Sequence, residues 1–126
     1  NLNAKRDWGH AKDFVFGMWK ILQNDKADDF VLATGQSYTV RDFCEIAFNE
    51  IGITLAWKGL GVNEIGIDVK NGKQLIQVDK RYFRPTEVDY LEGDASKARE
   101  QLKWSPKILF KEMVSEMVQS DISSIK

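Results

Sequence analysis

The feature that most constrains this chain is Asn71-Gly72 with alternating apolar positions on either side. Ile65, Ile67 and Val69 alternate before the pair, and Ile76 and Val78 after it. Asn-Gly supplies the positive-φ residues of a tight hairpin, so the spacing predicts two antiparallel arms over 64–70 and 73–79. Beyond both arms the apolar period changes from two to about 3.6. Strands and helices must therefore share one α/β fold, with about four helices, short strands and this hairpin.

The helices are read from caps and stripes. The first is expected from an Asp7 cap through His10 to about Gln23, with Phe14, Val15, Met18, Ile21 and Leu22 at helical spacing. The second begins at Thr39 with Asp42 in the capping-box position. Val40, Phe43, Ala47 and Ile51 form its expected buried stripe, with Cys44 and Phe48 beside it, and Gly52 stops it. Asp94 caps a third, with Ala98 and Leu102 inward. The last carries Phe110, Met113, Val114, Met117 and Val118 as one stripe, and is expected to fray after Ser120. Phe30 to Thr34 and Ile53 to Trp57 read as strands. Gly59-Leu60-Gly61-Val62-Asn63-Glu64 lacks a third glycine and a following helix pattern, so it is a turn rather than a dinucleotide loop.

With 126 residues the chain fits one domain, 1–126. Eighteen Lys and Arg face 19 Asp and Glu, for a net charge of -1. That balance argues against general nucleic-acid or membrane-surface binding, so any anion site must be local. The single cysteine, Cys44, reads as a buried structural thiol. The single histidine, His10, reads as a packing or capping residue and leaves no His pair for a metal. No membrane-length apolar run and no signal peptide are present, and the cytoplasm is the expected compartment. The opening residues enter a helix pattern without an initiator methionine, which suggests a piece of something longer. Asp68, Glu92 and Glu112 read as solvated acids. No P-loop and no Gly-x-Ser-x-Gly elbow occurs.

Two arginines stand out. Pro85 pushes Arg84 toward an extended backbone, from which a guanidinium can fork onto phosphate or carboxylate. Glu87 can steady it or accept from sugar hydroxyls. The plainer alternative is an Arg84–Glu87 surface pair. Arg6 lies just before the expected first helix, where amide donors favour an anion; its alternative is a pair with Asp7 or Asp13. If Arg6 and Arg84 converge, a diphosphate can be held from both sides.

Longer motifs carry a resemblance. The run Asn1 to Asp13, the run Asp29 to Gly35 leading to Val40-Arg41-Asp42-Phe43, and Tyr82 to Asp89 followed by Gly93-Asp94 together resemble the GDP-mannose 4,6-dehydratase family. Leu102-Lys103-Trp104-Ser105-Pro106 is shared more widely among extended short-chain dehydrogenase/reductases. The resemblance implies a homo-oligomeric enzyme that dehydrates GDP-mannose to GDP-4-keto-6-deoxymannose, with a bound NADP taking a hydride and returning it. It implies that Arg6 and Arg84 contact the diphosphate, that Glu87 holds ribose hydroxyls or orients Arg84, and that Asn1, Lys5 and Trp8 line the same pocket. Arg41 is expected to be an exposed helix arginine rather than a contact.

The chain also departs from that family. It has no complete glycine-rich loop and no Tyr-x-x-x-Lys pair, since Tyr38, Tyr82 and Tyr90 are followed at that distance by Asp42, Thr86 and Asp94. The resemblance is therefore to the C-terminal, substrate-binding portion. No catalytic residue, no metal site and no NADP binding are expected of the chain alone, and residues 1–35 are expected to pack on the missing cofactor-binding half. Three rivals stand beside this reading. They are a non-catalytic nucleotide-sugar-binding module, a structural or partner-binding domain, and a related enzyme acting on a UDP- or dTDP-sugar.

Overall fold

The computed structural model describes residues 1–84 and 88–125. Among the described residues there are four α-helices and two small antiparallel sheets. The elements are β1 (Lys5–Arg6), α1 (Ala11–Leu22), β2 (Tyr38–Thr39), α2 (Val40–Asn49), β3 (Leu55–Lys58), β4 (Ile65–Asp68), β5 (Gln74–Gln77), α3 (Ser96–Leu102) and α4 (Phe110–Ser124), with a 3-10 turn at Gly61–Asn63. One sheet pairs β1 with β2; the other runs β3-β4-β5.

The expected hairpin is β4–β5. Its turn is longer than the two residues Asn-Gly alone demands, because Asp68 takes charge of it. Asp68 accepts from the Lys70 N–H at 2.8 Å and from the Asn71 amide at 2.8 Å, while the Gly72 N–H bonds to its carbonyl at 2.8 Å. Gly72 supplies the positive φ of 72°. Asp68 is buried, so it is a turn-builder rather than the solvated acid expected. Glu112 accepts from the Leu109 N–H at the start of α4, and Glu92 from the Ser37 hydroxyl.

The first helix starts later than its acidic residue suggested. His10, not Asp7, is the cap: its Nδ1 accepts from the Lys12 N–H at 3.1 Å. The capping role expected for His10 holds, and its Nε2 also sits 3.2 Å from Glu116. Inward, α1 presents Asp13, Phe14, Gly17 and Ile21. Gly17 is needed there, since a Cβ would lie 2.7 Å from Leu32 and 2.9 Å from the Trp104 indole nitrogen. The outward face keeps Val15, Met18, Trp19 and Leu22 exposed, Leu22 at 80%.

Residues 30–34 join no strand ladder among the described residues, contrary to the expected strand. In the second helix the Thr39–Asp42 capping box forms as expected, Asp42 accepting from the Thr39 N–H at 2.8 Å and Thr39 from the Asp42 N–H at 2.9 Å. Its inward residues are Phe43, Ile46 and Ala47, whereas Ile51 lies past the helix end and is exposed. Cys44 is half-buried, and burial pushes its thiol pKa up, as suits an unreactive side chain. The 53–57 strand shifts to β3.

Two apolar clusters hold these pieces together. In one, Ala95, Ala98, Leu102 and Trp104 close over Ala33, with Phe14, Ile21, Phe30 and Leu32 around them. Ser96 begins α3, and Asp94 accepts from its N–H at 2.8 Å. The helix ends at Lys103 in the left-handed region, φ 51°. That conformation costs about 1 kcal/mol for a residue with a Cβ. It turns Trp104 inward, where the indole N–H donates to the Asp13 carbonyl at 2.9 Å. In the other cluster, Phe110, Met113 and Val114 pack under α2. Met117 emerges into solvent, and α4 continues to Ser124 rather than fraying at Ser120.

Candidate functional site

The site residues start from β1. Its two residues are too short to show alternation, yet the strand is tied on both edges. On one edge Lys5 pairs with Thr39 and Arg6 with Tyr38. On the other, the Lys5 N–H donates to the Asp89 carbonyl at 2.7 Å, and the Leu91 N–H to the Lys5 carbonyl at 3.1 Å. Asn1 joins the same edge through its side-chain amide, 3.2 Å from the Asp89 carboxylate. Asn1, Lys5 and Arg6 are thus gathered beside residues 88–91.

The Arg6 guanidinium turns toward that returning chain. Its Nη1 donates to the Lys5 and Val88 carbonyls, each at 2.8 Å. Because α1 begins only at Ala11, Arg6 is a strand residue rather than a helix-start residue. The acids expected to pair with it have other duties. Asp13 accepts from the Lys107 and Ile108 N–H groups at 3.0 and 2.9 Å. Asp7 accepts from the Thr34 N–H and hydroxyl on one oxygen, and from the Gly35 and Gly93 N–H groups on the other. Burial pushes the Asp7 carboxyl up, but those four donors outweigh it and hold its pKa below the ordinary value.

Arg84 approaches from β5. After Gln77 the chain turns on Asp79, whose carbonyl accepts from the Tyr82 and Phe83 N–H groups, both at 3.1 Å. Arg81 clamps the Asp79 carboxylate, Nη2 to Oδ2 at 2.6 Å, and lowers its pKa. Arg84 follows directly and is exposed. Val88 is four positions further on, so the two Cα atoms are no more than about 14 Å apart. Glu87, and with it the expected Arg84–Glu87 pair, lies outside the described residues.

Trp8 faces elsewhere. Its ring stacks on Phe110 at 5.6 Å and meets Phe43 edge-on at 5.4 Å. It forms part of the wall of a 470 Å³ hollow that also includes Arg6, Asp7 and Gly93. Trp8 is thus a packing residue whose edge reaches the hollow.

Arg41 is not the exposed helix arginine its position suggests. Its side chain is only 23% exposed and its Nη2 lies 2.7 Å from Glu64, itself buried. The same nitrogen donates to Asn3 at 3.0 Å, and the guanidinium lies 4.6 Å from the Trp57 ring centre. The spacing from Arg41 to Glu64 carries no local signal that could have revealed the pair.

Among the described residues no group of three His, Cys, Asp or Glu side chains could hold a metal. The glycines at 59 and 61 lead into a 3-10 turn and then β4, so no helix N-terminus follows them to receive a pyrophosphate. No helix of the described residues is long and apolar enough to cross a membrane.

A family model described as GDP-mannose 4,6 dehydratase matches residues 1–117. The chain belongs to that family. Its full length is 51% identical to the GDP-mannose 4,6 dehydratase of Homo sapiens, and the match covers 34% of that protein. It is 51% identical to the GDP-mannose 4,6-dehydratase of Sinorhizobium fredii (strain HH103), covering 36% of it. The chain therefore spans about a third of the length of these dehydratases. Solved structures agree on the fold. RMD from Pseudomonas aeruginosa, complexed with NADPH, superposes with a TM-score of 0.71 at 15% identity over all of this chain and 35% of that one. The UDP-glucose 4-epimerase of Thermotoga maritima, with UDP-glucose, gives 0.73 at 17% identity over all of this chain and 34% of that one. The chain thus shares its α/β fold with the matched third of each of these structures.

Proposed function

We propose that this chain is the GDP-mannose-binding part of a GDP-mannose 4,6-dehydratase. Arg6 and Arg84 hold the diphosphate, Glu87 holds ribose hydroxyls or orients Arg84, Asn1 and Lys5 line the same edge, and Trp8 lines the hollow it shares with Arg6. The observation that carries this reading is the Arg6 bond to the Val88 carbonyl, which sets one guanidinium against the chain that leads back to the other. Two forks on one pyrophosphate match the geometry and charge that arginine supplies.

In this proposal NADP belongs to protein outside this chain, and the whole enzyme is a cytoplasmic homo-oligomer acting early in deoxysugar synthesis. Residues 1–35 pack on the cofactor-binding part. Two features support that placement: the bare apolar face of α1, where Trp19 is 53% exposed, and the unpaired segment 30–34 beside it. The segment alone holds substrate for a nicotinamide it does not bind, and alone it neither dehydrates GDP-mannose nor binds NADP.

Titration of the full-length protein with GDP-mannose, GDP and UDP tests the reading. Arg6→Ala and Arg84→Ala should each weaken GDP binding by roughly ten- to a hundredfold, the worth of a charge-assisted contact of about 1.5–3 kcal/mol. Unchanged affinity in both variants refutes the diphosphate site. GDP binding without turnover identifies a non-catalytic module, the absence of saturable binding a structural domain, and a preference for UDP a different nucleotide-sugar enzyme.

A further inference from the structure

We infer that Arg41 is a positioning residue that sets the spacing between the two arms of the diphosphate site; this rests on the Arg6–Arg84 reading above. One arm is the N-terminal segment. Its carbonyls at Leu2 and Ala4 accept from the Arg41 and Val40 N–H groups at 3.0 and 3.2 Å, so the start of α2 is laced to the segment that carries Asn1, Lys5 and Arg6. The other arm is the β3-β4-β5 sheet, which delivers Arg84. Glu64 leads into that sheet, and its carbonyl accepts from the Val78 N–H at 3.3 Å, beside the Asp79 turn that precedes Arg84.

The Arg41 guanidinium joins these arms. It donates to Asn3 on the first, pairs with Glu64 at the root of the second, and lies against Trp57 of β3. Trp57 is fixed in turn by its indole N–H, 2.7 Å from Glu45 on α2. A planar fork with one face against an aromatic ring has a defined direction, which a lysine ammonium lacks. Glu64 is 10% exposed at its side chain, so the pair is shielded from solvent and resists salt screening. Arg41 therefore fixes a separation that neither sheet sets by itself, since β1–β2 and β3–β5 share no ladder.

The test compares Arg41→Lys and Glu64→Gln with Arg6→Ala and Arg84→Ala in the full-length protein, titrated with GDP and with guanosine. Arg41→Lys should weaken GDP roughly tenfold, because an ångström of misplacement suffices for such a loss, while leaving guanosine affinity within about twofold. Glu64→Gln should behave the same way. An equal loss for GDP and guanosine, or a lowered melting temperature with GDP affinity retained, overturns the positioning role and leaves Arg41 a stability residue. If Arg6→Ala and Arg84→Ala leave GDP affinity intact, the diphosphate reading itself fails; if they abolish it while Arg41→Lys does not, only the inference about Arg41 fails.

Discussion

Asp7→Asn should cost about 2–4 kcal/mol of stability at pH 7. Asp7 is the point where two remote segments meet its own: its oxygens take N–H bonds from Thr34 at 3.0 Å, Gly35 at 2.9 Å and Gly93 at 3.2 Å, plus the Thr34 hydroxyl. An asparagine keeps one acceptor oxygen. Its NH2 must face either the Gly35 and Gly93 donors or the Thr34 N–H, so at least one backbone donor is opposed by another donor. Hydrogen bonds to a charged acceptor contribute about 1.5–3 kcal/mol each, and losing one or two at a half-exposed site gives the stated range. The pH dependence has a definite sign. The carboxyl pKa is lowered by folding, so the carboxylate's contribution is complete above the unfolded value of about 3.9 and is lost as pH falls through the lower folded value. Urea denaturation followed by tryptophan fluorescence should show a gap between wild type and variant that is constant near neutrality and closes in acid. A gap under about 0.5 kcal/mol at pH 7, or one that widens on acidification, refutes the account.

Gly93→Ala places a Cβ 2.3 Å from the Ala33 Cβ and pushes the Gly93 N–H off Asp7; a loss of about 1–3 kcal/mol is expected. A double-mutant cycle with Asp7→Asn should be less than additive, because both changes break the same bond. Trp104→Phe removes the donor to the Asp13 carbonyl and part of a fully buried ring, for about 2–3 kcal/mol by the same urea titration; under 1 kcal/mol would mean the indole is not anchoring α1.

What the sequence revealed of the fold was what neighbouring residues decide among themselves. The Thr39–Asp42 box, the Gly52 stop and the Asn71-Gly72 arms form because their partners lie within a few residues, and the Phe110–Met113–Val114 stripe is legible because one helix carries all of it, though it packs on α2. The errors share one cause, competition from remote groups. Asp7 has the composition of a cap, but donors from residues 34, 35 and 93 claim it, and α1 starts on His10 instead. Val15, Met18 and Leu22 keep their helical spacing on the outward face of α1, opposite Gly17, which packs toward Leu32 and Trp104. Residues 30–34 have strand composition, but composition cannot supply a ladder partner.

The site divides along the same line. Arg6 stood out as a cation, but the reason it sits where it does is a two-residue strand held between residues 38–39 and 89–91, which no periodicity can reveal. Arg41 looked like a solvated helix residue because its partners, Asn3, Trp57 and Glu64, lie 38, 16 and 23 positions away. Each of those distances spans a different element, so the guanidinium is bound by the assembled fold and not by its own helix. A diphosphate between two flexible chain ends would be held loosely, since each arginine must be immobilised before it can bind with direction. In the proposed site the Lys5 and Val88 carbonyls hold the Arg6 guanidinium and the Asp79 turn precedes Arg84, with Arg41 tied to both arms. Under that proposal, preorganisation makes the geometry of the site depend on a residue that need not touch the ligand.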